Sequence, residues 1–365
     1  MDLDTRPHRP RFGRRLRRRS LAASLAVLAL VLTTGGAAGG SGLTGGAAGA
    51  AGHHCRRLRL PVAVAAGQPA SYQVAGTLCS PGSTRGRTLQ VLVPGVGVDQ
   101  HYWDFPYRPE RYSYVRTATR AGYATLNIDR LGSGASDYPP AAEVTVASDA
   151  FVLHQILGMV RTGRLAGLGF GRVVTVGFSV GAATAIQEAA TYGDPDGVVV
   201  TGFIHHVGPL IPSFGSIIQP AEDDPKFADR DLPDGYVTTR PVARVPFFFN
   251  VANVESRVLE VDERLKSTFT PGEGEGFAAV LGDPGLSRAI LVPVLVVVGE
   301  RDGLFCDDPV CSAASSEYQH YSPAAQVQVS VIPAAAHALN LHRNAPDVFA
   351  TIRTWTDTHF RPVIR

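Results

Sequence analysis

The sequence lacks a strong excess of charge of either sign outside its first residues. Charged residues make up 18% of the chain and the net charge is +2, but eight arginines lie within the first 19 residues. The remainder is therefore mildly acidic, and its charge gives no electrostatic reason to expect nucleic-acid binding. Nucleic acid is thus excluded as an expected partner. The hydrophobic content of 45% is typical of a globular protein with a large core.

The apolar run at residues 20–32 is too short to cross a bilayer comfortably, because a spanning helix needs about 20 residues. It follows the basic residues 14–19 and precedes a Gly/Ala-rich tract that ends at Gly52. This order is typical of a secretory signal peptide, so we expect residues 1–52 to be a signal peptide and processing region. The chain is then secreted, by the Sec or the Tat route, and keeps no stable membrane anchor. An uncleaved anchor is the alternative.

Cysteine is scarce, and no C-x-x-C pair is present. The four cysteines are Cys55, Cys79, Cys306 and Cys311. Their spacing disfavours a metal site, and we expect neither a metal nor a cofactor. An even number of cysteines in an exported chain indicates disulfide bonds. Three pairings are possible, and proximity along the chain favours Cys55–Cys79 and Cys306–Cys311.

Near-continuous Val/Ile/Leu runs alternate with helical segments along most of the chain. Buried strands separated by helices are typical of an α/β protein with a mostly parallel sheet that is covered on both faces. Residues 205–291 interrupt this rhythm without an obvious strand of the sheet, and they contain a predicted helix over 254–269. Because a structureless loop of that length is improbable in a compact domain, we expect a helical cap there. The flanking core parts are then residues 53–204 and 292–365.

The most informative stretch is a strand, a tight turn and a helix over residues 172–192. The β-branched run 172–176 leads into the sequence G-F-S-V-G at residues 177–181, and a helix-forming run follows. In a nucleophile elbow the serine adopts strained backbone geometry, so the residues two before and two after it need minimal side chains. Ser179 is therefore the predicted nucleophile. A glycine-rich strand end without function is the alternative.

Two later loops carry groups that could activate this serine. A serine hydroxyl is a weak nucleophile until a base accepts its proton and a third group orients that base. His337 follows the last predicted strand among small residues, and Asp302 follows the strand before it. The order Ser179, Asp302, His337 is the one expected for a nucleophile elbow of this type. The alternative acids are Glu300, Asp307 and Asp308.

Two backbone N–H groups should stabilise the oxyanion that forms during acyl transfer. The amide of Val180 directly follows the nucleophile at the start of the predicted helix. The second amide should come from the loop Pro94-Gly95-Val96-Gly97, which follows the strand at residues 88–93. We predict the amide of Val96 as this donor, with Gly97 as the second choice. A simple tight turn is the alternative for this loop.

With these motifs the sequence resembles the α/β-hydrolase superfamily over residues 58–360. The oxyanion loop, the serine elbow and the loops of Asp302 and His337 occur in the order of the family. The turn D-R-L-G-S-G-A-S at residues 129–136 is similar to a signature of the cap-bearing branch. The resemblance implies an α/β-hydrolase fold with an inserted helical cap. Family members usually carry His-Gly in the oxyanion loop, where this chain has Pro94.

Together these features predict a secreted serine hydrolase that cleaves carboxylic esters or lactones of small apolar molecules through an acyl-enzyme. The resemblance leaves two alternatives that use the same triad, namely carbon–carbon bond hydrolysis and cofactor-free perhydrolysis. A catalytically silent binding protein is a third alternative. A serine at the elbow differs from haloalkane dehalogenases and epoxide hydrolases, which use aspartate there. The sequence predicts no oligomeric state.

The residues that line the substrate pocket are the least defined part of the site. Tyr102 and Trp103 follow the oxyanion loop, Phe178 lies in the elbow, and His205 follows a buried strand. We name these four as candidate pocket residues, with core packing as the alternative for Tyr102 and Trp103. His205 and His206 point to opposite faces of an extended chain, so they do not readily bind one metal ion together.

Overall fold

The computed structural model describes residues 54–165 and 169–361. The predicted signal peptide and processing region, residues 1–52, lies outside the described residues. None of the helices in the two described ranges combines the length and the apolar character that crossing a bilayer requires.

Ten strands are distributed along the described chain. In chain order they are β1 (His54–Val62), β2 (Tyr72–Ser80), β3 (Thr88–Val93), β4 (Ala124–Ile128), β5 (Arg172–Phe178), β6 (Gly197–Thr201), β7 (Ile218–Pro220), β8 (Val237–Thr239), β9 (Val294–Gly299) and β10 (Gln328–Ile332). Strands β7 and β8 form a separate two-stranded sheet. The other eight form one sheet in the spatial order β1-β2-β4-β3-β5-β6-β9-β10.

The large sheet is parallel except at one edge. Strand β2 pairs antiparallel with β1 and with β4, whereas all the other neighbouring strands pair in parallel. Every residue of β3, β4, β6 and β9 is buried, as expected for parallel strands that are covered on both faces. The predicted α/β architecture with a mostly parallel, doubly covered sheet is therefore confirmed.

Helices connect the strands and cover the sheet. They are α1 (Pro109–Tyr112), α2 (Tyr114–Arg120), α3 (Val146–Arg161), α4 (Val180–Thr191), α5 (Val245–Phe248), α6 (Ser256–Leu265), α7 (Pro271–Gly282), α8 (Pro284–Arg288) and α9 (Ala345–Phe360). The caps of α3 and α7 are built alike: Thr145 and Thr270 each take part in a reciprocal capping box with the residue three positions later.

The 205–291 segment, which leads from β6 towards β9, consists of short elements. It contains the 3₁₀ helix Ile211–Ile217, the β7–β8 pair and the helices α5 to α8. The helix predicted over residues 254–269 is shorter in the structure, as α6. It ends before Lys266, whose buried ammonium group pairs with Asp224 at 2.7 Å. The division of the chain into core and cap stays a prediction.

Both favoured disulfide bonds are present. Cys55–Cys79 joins directly opposed residues of β1 and β2, and Cys306–Cys311 closes a short loop after β9. The second bond begins four residues after Asp302 and therefore restrains the loop that carries this carboxylate. Two disulfide bonds fit an extracellular environment.

Candidate active site

Ser179 occupies the sharp turn between β5 and α4. Its φ of 53° and ψ of −119° are strained for a residue with a side chain, at a cost of about 1–3 kcal/mol. Gly177 and Gly181 allow the turn to close. A Cβ atom on Gly177 would collide with the carbonyl oxygen of Gly181, and one on Gly181 would collide with that of Val93. The two glycines are therefore required by close backbone packing.

The structure brings Ser179, His337 and Asp302 into one hydrogen-bonded chain. His337 Nε2 lies 3.0 Å from Ser179 Oγ, and His337 Nδ1 lies 2.9 Å from Asp302 Oδ2. The other oxygen, Asp302 Oδ1, accepts a hydrogen bond from the backbone N–H of Leu304 at 3.1 Å. All three side chains are buried. This arrangement can move a proton from the serine hydroxyl to an oriented imidazole.

The three alternative acids are engaged elsewhere. Glu300 accepts a hydrogen bond from the backbone N–H of Ala334 at 2.9 Å. Asp307 lies 2.6 Å from His206 Nε2 near the surface, and Asp308 accepts hydrogen bonds from backbone amides of its own loop. The carboxylate that contacts the imidazole is the one ranked first from the sequence.

The loop at residues 94–97 packs directly against the nucleophile. A Cβ atom on Gly95 would lie 2.9 Å from the Cβ atom of Ser179, so only glycine lets the loop come this close. Among the described residues, Val96 and Val180 line the cavity above the serine, whereas Gly97 is not part of that lining. Of the two donors predicted in this loop, Val96 is therefore the one that lines the cavity, and its role as a donor stays a prediction.

A buried arginine holds the carbonyl groups of this loop. Arg130 Nε donates to the carbonyl oxygen of Pro94 and Nη2 to that of Gly95, both at 3.0 Å. The Gly95 carbonyl and the Val96 N–H belong to one trans peptide and point in opposite directions. Because Arg130 fixes the carbonyl, it also fixes the direction of the Val96 N–H.

Arg130 connects the loop to two helices as well. Its guanidinium lies 3.3 Å from Asp149 of α3 and forms an ion pair with Glu273 of α7. The side chains of all three are at most 3% exposed. Burial lowers the pKa of Arg130 and raises that of Asp149 to about 6. This buried ion cluster joins the oxyanion loop, the core and the 205–291 segment.

A second buried arginine, Arg244, holds the far end of the loop. Its Nη1 donates to the carbonyl oxygen of Gly97 at 2.7 Å, and the guanidinium lies 2.9 Å from Asp262. The backbone N–H of Ser267 donates to the same Gly97 carbonyl at 2.9 Å. Arg244, Asp262 and Ser267 all belong to the 205–291 segment, so this segment contributes directly to the geometry of the loop.

A second histidine supports the loop of His337. His342 Nε2 accepts hydrogen bonds from the backbone N–H groups of Asn250 at 3.0 Å and Ala336 at 3.2 Å, while Nδ1 donates to the carbonyl oxygen of Ala338 at 3.0 Å. Protonation would turn the accepting nitrogen into a donor and break two of these bonds. Burial lowers the pKa of His342 to about 4. This residue was not predicted from the sequence, where the only signal is its position five residues after His337.

The cavity above Ser179 is large and mainly apolar. Its volume is about 670 Å³, and Ser179 and His337 lie in its wall. Most of its apolar side chains come from the 205–291 segment. They include Ile211, Phe214, Ile218, Phe248, Phe269, Phe277 and Leu281. The ionisable side chains among the described lining residues are Glu275 and His337, so the cavity suits an uncharged, apolar ligand.

The three aromatic residues predicted to line the pocket lie beneath the site instead. Tyr102 stacks on Phe178 with ring centroids 4.0 Å apart, and Trp103 meets Tyr102 edge-on. All three are at most 2% exposed and belong to the core. Their rings pack within the core and are not part of the cavity wall. The prediction that they line the pocket is therefore corrected. Phe178 still contributes indirectly, because its ring packs against the imidazole of His337 at 5.0 Å.

His205 is also not a pocket residue. Its Nδ1 lies 2.9 Å from Glu317 Oε2, and its Nε2 lies 3.0 Å from Ser287 Oγ. The imidazole and the carboxylate are each at most 2% exposed. A buried partner for each ring nitrogen makes His205 part of a structural polar cluster, and the prediction that it lines the pocket is corrected.

Comparisons with known proteins agree with this architecture. A family model described as the alpha/beta hydrolase family matches residues 90–352. A thermophilic esterase from Thermogutta terrifontis superposes with a TM-score of 0.56 at 19% identity, over 83% of this chain and 99% of that chain. The enol-lactonase from Burkholderia xenovorans superposes with a TM-score of 0.52 at 19% identity, over 78% and 96% of the two chains. No curated protein matches the sequence.

Replacing Arg130 tests the buried ion cluster. We expect Arg130→Met to lower the free energy of unfolding by about 3–5 kcal/mol, because Asp149 and Glu273 are left buried without their cation. The measurement is chemical denaturation. Arg120→Met is the matched control, since Arg120 pairs with Glu110 at the exposed surface and should change stability by less than about 1 kcal/mol. Equal losses in both variants would contradict the role of the cluster.

His342 should make the fold sensitive to acid. Its pKa is about 4 in the folded protein and about 6.5 in an unfolded chain, so only the unfolded chain binds the proton between these values. We expect the free energy of unfolding to fall as the pH drops from 6.5 to 4, by up to about 3 kcal/mol from this residue. Denaturation of the wild type and of His342→Gln over this range measures the difference. The same pH dependence in both proteins would count against this assignment.

Proposed function

Because the chain belongs to the alpha/beta hydrolase family, we propose that it is a secreted serine hydrolase that cleaves carboxylic esters or lactones of apolar small molecules. The observation that carries this proposal is the hydrogen-bonded chain from Asp302 through His337 to Ser179, at the wall of an apolar cavity. The family itself supports hydrolase activity. The catalytic residues, the substrate class and secretion are the parts that we add.

In the proposed reaction, Ser179 Oγ attacks the carbonyl carbon of the ester while His337 Nε2 accepts the hydroxyl proton. Asp302 accepts the Nδ1–H hydrogen bond, which holds the imidazole in the required tautomer and stabilises the imidazolium. The backbone N–H groups of Val96 and Val180 donate to the oxyanion of the tetrahedral intermediate. His337 then returns the proton to the leaving alcohol. In the second half of the reaction His337 accepts a proton from water, which attacks the acyl carbon, and then returns the proton to Ser179 Oγ as the acid leaves.

The shape and chemistry of the cavity support the substrate class. A volume of about 670 Å³ holds a molecule with a sizeable acyl or alcohol group. Among the described lining residues no lysine or arginine is present to pair with an acidic substrate, and Glu275 would repel one. We therefore expect uncharged esters. The structural likeness to an esterase and to an enol-lactonase is compatible with this choice.

Replacing the nucleophile tests the proposal. We expect Ser179→Ala to lower kcat for a p-nitrophenyl ester by roughly 10⁴-fold or more, because the acyl-enzyme no longer forms. A fluorophosphonate probe should label the wild type at Ser179 and leave the variant unlabelled. Ser315→Ala, at an exposed serine of the 3₁₀ helix Ser312–His320, is the control and should keep both activity and labelling.

Two results would overturn the proposal. One is ester turnover in Ser179→Ala at the rate of the wild type, and the other is a folded wild type that neither reacts with the probe nor hydrolyses any ester or lactone. The second result would favour a silent binding protein. A panel that includes carbon–carbon cleavage substrates and a peroxide assay separates the remaining reactions that the same triad could perform.

A further inference from the structure

Three side chains that can bind a metal ion meet on α3, α4 and the loop after α4. They are His154, Glu188 and Asp194. Each offers one ligand atom, and these atoms all lie within 4.8 Å of one another. None of the three is among the residues that line the cavity above Ser179. The cluster is therefore separate from the candidate active site.

Glu188 gives this cluster its unusual character. The residue is fully buried in α4, and neither carboxylate oxygen has a hydrogen-bond partner among the described residues. A buried carboxylate that lies next to another carboxylate, here that of Asp194, requires either a cation or a proton. Burial, and after it the neighbouring side chain of Asp194, raises the pKa of Glu188 to about 9.

We propose that His154, Glu188 and Asp194 bind a zinc ion. One imidazole and two carboxylates form a donor set that suits zinc, and the two negative charges balance the charge of the ion. The side chains of His154 and Asp194 are 37% and 22% exposed, so a water molecule can reach the fourth position. His154 Nδ1 and Asp194 Oδ2 are hydrogen-bonded to each other in the structure, and both atoms would turn to a bound ion.

Neighbouring residues hold two of the ligands in place. The ring of Tyr192 stacks on the imidazole of His154, with centroids 4.2 Å apart and an angle of 17° between the planes. Arg161 Nη2 donates to the backbone carbonyl of Asp194 at 2.6 Å, and its charge is paired with Asp196 at 2.7 Å. Such outer contacts orient metal ligands.

The position of the cluster points to a structural role for the ion. Glu188 follows Ser179 by nine residues, which corresponds to about 13 Å along α4. The ion joins α3, α4 and the following loop, so it stabilises the helix whose first turn lies at the nucleophile. Zinc therefore stabilises the folded protein, and the reaction at Ser179 does not depend on it.

The test uses the purified protein after removal of metals with a chelator. We expect equilibrium dialysis to give one tightly bound zinc ion per chain, and saturating zinc to raise Tm by about 5 °C. Glu188→Gln keeps the shape of the side chain but removes its charge, and it should lose both effects. His206→Asn is the control, because His206 pairs with Asp307 at another surface site, and it should retain them.

A second variant covers the case in which Glu188→Gln does not fold. His154→Asn changes a partly exposed side chain and should also abolish the zinc-dependent rise in Tm. The proposal is overturned if the wild type shows no such rise, or if either folded variant shows the same rise as the wild type. In those cases Glu188 carries a proton shared with Asp194. A rise with calcium that equals the rise with zinc would contradict the choice of metal.

Discussion

The close approach of three backbone segments at Ser179 is the constraint on which the site depends. The strained turn after β5 is held against the end of β3 and the loop that follows it, with only glycine at the contact points. Interiors of proteins are packed too densely to absorb an additional methyl group at such a contact. The sheet and α4 over-determine this turn, so the strain of about 1–3 kcal/mol persists in the folded state.

The position of the oxyanion loop depends on charge that is buried beside it. A proline stands where the family usually carries a histidine, and the loop carbonyls are held by Arg130 and Arg244 instead. Guanidinium groups suit this task because their planar fork can bind several acceptors at once. A buried arginine needs carboxylate partners, and Asp149, Glu273 and Asp262 supply them. The chemistry proposed at Val96 thus depends on ion pairs whose residues are not among those that line the cavity.

How much of this could be predicted from the sequence depends on whether the signal is local. The elbow was predictable because glycine spacing and a strand before a helix lie within a dozen residues. Asp302 and His337 were predictable because each lies a few residues after a strand whose apolar run is easy to recognise. Arg130 lies in a recognised turn, but its role depends on contacts with Pro94, Asp149 and Glu273, which sequence spacing does not encode. The same holds for Arg244.

The three wrong predictions for aromatic pocket residues have a common physical origin. Tyr102, Trp103 and Phe178 were placed at the pocket because they adjoin the loop and the elbow in sequence, yet aromatic rings next to a tight turn are needed to fill the core beneath it. Most of the cavity wall comes instead from the 205–291 segment. The aromatic and apolar residues of this segment are evident in the sequence, but they do not recur at the spacing of a helix or a strand, so their positions in the fold could not be predicted. Segments of this kind take their shape from tertiary packing rather than from local propensity.

The 205–291 segment therefore contributes to the site in two ways. It supplies most of the apolar wall of the cavity, and through Arg244, Ser267 and Glu273 it also holds the loop that is proposed to stabilise the oxyanion. The carbonyl of Phe248, in the same segment, accepts a hydrogen bond from Ala338 beside the proposed base. This one segment thus shapes the cavity and also contacts the loops that carry Val96 and His337.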